Sequence, residues 1–137
     1  MKNIFVVILL LTLSISCAQK PETNQSEQTE VISVDHVDIT VTDFNTTFAV
    51  PDSNTIILDV RTDREFEAGA IPNSVQLDFM SPDFKDEVSK LDPNKTYVVY
   101  CQSGGRSTAA SKIMTKELGF KDVKNLEGGY STWSKSE

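Results

Sequence analysis

The sequence predicts an α/β domain in which a central, five-stranded, largely parallel sheet is flanked by helices. Two observations carry this expectation. The strongest strand candidates, Thr55 to Val60 (TIILDV) and Thr96 to Cys101 (TYVVYC), are continuously apolar at their centres rather than alternating, which is the pattern of strands covered on both faces. Helical patterns with their own start and stop residues lie between the strand candidates, and such alternation belongs to parallel sheets. The 137 residues suit one domain with a short appendage, and 39% apolar with 24% charged residues is a globular balance.

The appendage comes first. Lys2 precedes an apolar stretch from Ile4 to Leu13, broken only by Thr12, and Ser14, Ile15 and Ser16 lead into Cys17. A stretch of that length, at about 1.5 Å per helical residue, is too short to span a bilayer and has the length of a secretory core. Residues 1–16 therefore read as a signal peptide. The small residue directly before Cys17 resembles a bacterial lipoprotein signal, although Ser14 stands where that signal usually has Leu. The resemblance implies cleavage before Cys17, lipidation there, and a domain lipid-anchored to a bacterial membrane and facing the periplasm. The remainder of residues 17–30, AQKPETNQSEQTE, has no large apolar side chain and is expected to be a flexible tether. Folding is left to residues 31–137.

Within the domain, residues 37–41 are the first strand candidate and Thr55 to Val60 the second. Thr62 and Glu65 have capping-box spacing before a short helix that Gly69 can end. Residues 74–78 form the third strand candidate. Ser81 and Pro82 then place an N-cap residue before a proline at the first helical position, with Phe84, Val88 and Leu91 on one face. After the strand ending at Cys101, an apolar stripe of Ala109, Ala110, Ile113, Met114 and Leu118 predicts the longest helix, stopped at Gly119 and Phe120. Residues 122–127 are the last strand candidate.

Charge and special residues narrow the function. The formal charge of −7 would become −8 once Lys2 leaves with the signal, with 12 basic residues against 20 acidic. Nucleic-acid binders usually carry a basic stripe, so nucleic acid is not an expected partner. Two cysteines and one histidine cannot supply a typical zinc site or a disulfide-dense scaffold. With Cys17 committed to lipid, Cys101 would be the one thiol of the mature chain.

Cys101 lies in the informative segment, Tyr100 to Ser107 (YCQSGGRS), between the strongest strand and the strongest helix. Sites in open α/β sheets form at the carboxyl ends of strands, where a helix start offers unpaired N–H groups to an anion. Loop dipoles and Arg106 are expected to lower the Cys101 thiol pKa, the thiolate being the nucleophilic form. Gly104 and Gly105 allow positive φ and keep side chains away from the sulfur. Tyr100 and Met114 read as core residues, and His36 as a surface residue without a role.

From Val37 to Trp133 the chain resembles a single-domain rhodanese. The residues that carry the resemblance are Leu58 to Arg61 (LDVR), Glu65 and Phe66, Gly69 to Ser74 (GAIPNS), Cys101 to Ser107, and Asn125 to Gly129 (NLEGG) with Trp133. The chain departs from the family pattern at Ala70, where His is usual, and at Asn73 and Ser74, where Gly and Ala are usual.

The resemblance implies a thiosulfate sulfurtransferase. Cys101 would take a sulfane sulfur from thiosulfate or a related donor as a persulfide and pass it to cyanide or a thiol, with no cofactor and no metal. Gln102, Ser103, Gly104, Gly105, Arg106 and Ser107 are the expected substrate-binding loop. Arg61 is a further candidate, either touching substrate or pairing with Asp59 or Glu65, while Asp59 reads as a loop brace and Glu65 as a cap. Cys101 and Arg106 enclose four residues, whereas related phosphatases enclose five, so sulfur transfer is favoured over a phosphatase or arsenate reductase. A non-catalytic binding or persulfide-carrier module is the other alternative, and the oligomeric state is left open.

Overall fold

Five strands, β1 (Val37–Ile39), β2 (Thr55–Asp59), β3 (Ser74–Gln76), β4 (Thr96–Tyr100) and β5 (Asp122–Leu126), make one sheet in the order β1-β5-β4-β2-β3 in a computed structural model that describes residues 35–137. Every neighbouring pair is parallel. The expected signal segment 1–16, the lipidation candidate Cys17 and the tether to residue 30 lie outside the described residues.

The continuous apolar runs have a direct structural reading. On β4, Tyr97 and Val99 point into a core with Leu58, Val88, Ala110, Met114 and Phe120. Val98 and Tyr100 point to the other face, into a core with Ile39, Phe44, Ile57, Ile71 and Leu126. Alternate side chains thus serve two cores, and all four β4 residues are fully buried. Helices α3 (Phe84–Ser89) and α4 (Gly105–Lys112) cover the first face, and α1 (Val41–Thr47) and α5 (Gly129–Trp133) cover the second.

Several element boundaries differ from the sequence expectation. The first strand ends at Ile39, because the Thr40 side chain caps the start of α1 and Asp43 closes a capping box. Val41, expected in the strand, is the first residue of that helix. Helix α2 (Asp63–Glu67) forms on the anticipated Thr62 and Glu65 box. Helix α3 starts later than expected, since the Ser81 hydroxyl accepts from the Asp83 N–H in a local turn and does not cap the helix. Helix α4 widens over Ile113–Glu117, where the Leu118 N–H donates to the Ile113 carbonyl at 3.1 Å. It stops as anticipated: Gly119 is left-handed at φ +73, and Phe120 folds back with its N–H on the Met114 carbonyl at 3.0 Å.

Asn73 is the one non-glycine residue at positive φ among those described, at 64°. The position that usually carries Gly is therefore filled by the residue type that best tolerates the left-handed region after glycine, so the turn survives the substitution. Ser74 then uses its hydroxyl on the Ile71 carbonyl at 2.7 Å and lies 3.1 Å from the Tyr100 hydroxyl.

The parallel sheet brings Cys101 to the carboxyl end of central β4, and the N-terminus of α5 holds it there. The Tyr130 N–H donates to the Cys101 carbonyl at 2.8 Å, and the Ser131 N–H to the Gln102 carbonyl at 3.0 Å. This approach needs Gly129, which sits at φ +57, and a Cβ there would collide with the Cys101 carbonyl. Gly119 has a similar φ but open space around it. In urea unfolding, Gly119→Ala should cost only the conformational strain of a left-handed alanine, about 1 to 2 kcal/mol. Gly129→Ala should cost clearly more, because backbone must move as well; equal losses would contradict this role for Gly129.

Candidate active site

The loop after β4 turns sharply at Gly104, whose φ of +103 brings its own N–H back to the Cys101 Sγ at 3.1 Å. The Ser107 hydroxyl lies 3.6 Å from Sγ and 3.0 Å from the Gly104 carbonyl. Thr108 secures that carbonyl with its N–H and its hydroxyl, both at 2.9 Å. Cys101 and Ser107 are buried, whereas Ser103 and Gly105 form an exposed rim. Burial alone pushes the Cys101 thiol pKa up, but the Ser107 hydroxyl and the N–H groups of Ser107, Ser103 and Gly104 outweigh it and leave the pKa below its ordinary value. The loop thus favours the thiolate form of a sulfur that packs in an apolar core.

Arg106 interacts with Glu65 first and with the Cys101 sulfur as well, and together they raise its pKa above the ordinary value against the effect of burial. Its guanidinium makes a two-pronged pair with Glu65, Nη1 to Oε2 at 2.8 Å and Nη2 to Oε1 at 2.6 Å. The same Glu65 Oε2 accepts the Thr62 N–H at 3.1 Å and the Thr62 hydroxyl at 2.8 Å. Glu65 is therefore the cap expected of it and also a clamp on the loop. Arg106 first, with the Thr62 hydrogen bonds, draws the Glu65 pKa down to about 2 against the effect of burial.

Arg61 takes one of the two roles left open for it, pairing with Asp59 rather than Glu65. Its Nε and Nη2 bond the Asp59 carboxylate at 2.7 to 3.0 Å, and Nη2 also reaches the Gly69 carbonyl at 2.7 Å. The Tyr130 ring stacks on the guanidinium at 4.2 Å. With Arg61 1% exposed, the expected substrate contact has no open face. Its Nη1 instead meets the Gln102 Oε1 at 3.3 Å, and the Gln102 Nε2 donates to the Ser131 hydroxyl at 2.8 Å. Asp59 is the loop brace it was expected to be, one residue removed: it orients Arg61, which steadies Gln102.

The site also contains residues the sequence did not single out. Tyr130 and Ser131 belong to a five-residue helix with glycine at its N-cap and no side-chain cap, so no capping or periodic signal marks them. Tyr100 is core as expected, and its hydroxyl accepts from the Ile71 N–H at 3.1 Å, tying the turn before β3 to β4. His36 lies near the start of the described residues, its imidazole 2.8 Å from Asp35 and 3.6 Å from Asp38.

Removing one member of the buried Arg61 and Asp59 pair strands the other. Asp59→Ala should lose about 3 to 5 kcal/mol of stability in urea unfolding. An Asp59→Leu, Arg61→Met double variant should recover a large part of that loss, and no recovery would contradict the assignment of the pair.

The geometry agrees with comparisons to known proteins. Residues 47–136 match the rhodanese-like domain family. A putative mitochondrial thiosulfate sulfurtransferase of Schizosaccharomyces pombe is 39% identical over 94 residues, covering 61% of this chain and about two thirds (66%) of the relative. The putative sulfurtransferase YtwF of Bacillus subtilis is 39% identical over 82 residues, 60% of this chain and 76% of that protein. Among solved structures, a rhodanese-related protein of Thermoplasma volcanium superposes with a TM-score of 0.61 at 26% identity, over 74% of this chain and 93% of that one. The chain belongs to the rhodanese-like domain family.

Proposed function

We propose that the protein is a sulfurtransferase that carries a sulfane sulfur on Cys101 as a persulfide. The observation that supports it most is the ring of donors around a buried Sγ: the Gly104 N–H at 3.1 Å and the Ser107 hydroxyl at 3.6 Å, opening onto an exposed rim. In the first step the Cys101 thiolate attacks the outer sulfur of a donor such as thiosulfate. The new sulfur–sulfur bond forms as the donor's bond breaks, and sulfite departs with the bonding pair. The loop donors that held the thiolate then serve the charge on the persulfide. In the second step cyanide or a thiol attacks the outer sulfur and the Cys101 thiolate leaves.

This chemistry calls for no cofactor, metal or second cysteine. The six-residue span from Cys101 to Arg106 supports the sulfur reading over phosphate hydrolysis, because the related phosphatase loop is one residue longer. Export and lipidation at Cys17, with the domain facing the periplasm, remain part of the proposal on the strength of the N-terminal sequence.

Mass spectrometry of the protein after incubation with a sulfane-sulfur donor should show the gain of one sulfur, reversed by cyanide and absent in Cys101→Ser. Turnover of an aryl phosphate without any sulfur uptake would defeat the proposal.

A further inference from the structure

The Gly104 carbonyl is contested. Three donors reach it: the Thr108 N–H and the Thr108 hydroxyl, both at 2.9 Å, and the Ser107 hydroxyl at 3.0 Å. A carbonyl oxygen has two lone pairs, and a serine hydroxyl has one proton to give. The Ser107 hydroxyl also lies 3.6 Å from the Cys101 Sγ, so its proton serves either that carbonyl or the sulfur. A threonine hydroxyl on the carbonyl four residues back is ordinary in helices. Here it fills the second lone pair of the acceptor that competes with the sulfur for Ser107.

A directional chain holds the Thr108 hydroxyl in that role. Asn125, 4% exposed on β5, points to the same face of the sheet as Val123, toward α4. Its Nδ2 donates to the Asp38 carboxylate at 2.7 Å and to the Thr108 hydroxyl oxygen at 3.2 Å. A carboxylate only accepts, so Asp38 fixes which end of the amide faces it. The amide nitrogen only donates to Thr108, and the proton of that hydroxyl is left for the Gly104 carbonyl. The Asn125 Oδ1 is buried without a partner among the described residues. Such an acceptor costs stability, and the hydrogen bonds of this amide all run through its nitrogen.

We propose, resting on the sulfurtransferase reading above, that Asn125 and Thr108 are positioning residues that aim the Ser107 hydroxyl at the Cys101 sulfur. With the Gly104 carbonyl satisfied from Thr108, the Ser107 proton turns to Sγ, where it supports the thiolate before transfer and again when the thiolate leaves. Without the Thr108 hydroxyl, Ser107 turns back to the carbonyl 3.0 Å away and the sulfur loses a donor. The effect on the sulfur runs through the Gly104 carbonyl and Ser107.

Thiolate titration of the full chain by ultraviolet absorbance, with alkylation rates in parallel, tests this in a double-variant cycle. A Cys17→Ser background leaves Cys101 as the one thiol. Thr108→Val keeps the shape and removes the hydroxyl. It should raise the Cys101 midpoint by about 1 pH unit, the scale of one hydrogen bond to a charged acceptor. Ser107→Ala should raise it by a similar amount, and the two together should raise it no further, because both remove the same donor from the sulfur. Asn125→Leu should raise it by a smaller amount alone and not at all beside Thr108→Val. Thr108→Ser retains the hydroxyl and should keep the midpoint of the background, and Thr108→Ala repeats the test if the valine variant does not fold. The charged groups of the loop, Arg106 with Glu65 and Arg61 with Asp59, are the same in every variant. A midpoint unmoved by removing the Thr108 hydroxyl, or shifts of Thr108→Val and Ser107→Ala that add, overturns the role of Thr108, and an unmoved Asn125→Leu overturns that of Asn125. Both outcomes leave the sulfurtransferase reading intact, which sulfur loading on Cys101, read by mass, tests separately. No sulfur uptake overturns that reading whatever the cycle shows.

Discussion

The structure turns on lowering the pKa of a thiol that burial would otherwise keep neutral. Cys101 is 1% exposed and packs in the same core as Tyr97, Val99 and Met114, and such surroundings favour the neutral thiol. The opposing force is local: N–H groups and one hydroxyl from Ser103, Gly104 and Ser107 converge on Sγ. In the proposed transfer, donors fixed in this way would serve the charge on a persulfide as they serve the thiolate.

A loop of that shape needs outside support, and the fold supplies it from three directions. Helix α5 binds the carbonyls of Cys101 and Gln102 through its first N–H groups. Glu65, on α2, grips Arg106 at the far end of the loop. Asp59 and Tyr130 lock Arg61 beneath Gln102. These pairs fix the loop from outside, through α2, α5 and the end of β2.

The strands and the nucleophile were legible in the sequence because their signals are local. Continuous apolar runs mark β2 and β4, and the glycines, arginine and helix start after Cys101 are contiguous. The clamp and the lock were not legible, because Glu65 and Arg106 are 41 residues apart, as are Arg61 and Gln102, and no periodicity connects such positions. Helix α5 escaped for another reason: five residues are fewer than two turns, and a glycine N-cap carries no side-chain signal. Helix α1 did have a signal, the Thr40 and Asp43 box, but it was masked by the alternation of Val37, Ile39 and Val41, which reads as strand.

The central claim is that the loop donors overcome burial at Cys101. Titration of the folded protein by ultraviolet thiolate absorbance, with the rate of alkylation followed in parallel, measures this directly. The account predicts a midpoint below that of an unperturbed cysteine, about 8.5, and an upward shift in Ser107→Ala, which removes one donor. A midpoint at or above the unperturbed value, or one that Ser107→Ala leaves unchanged, would contradict it.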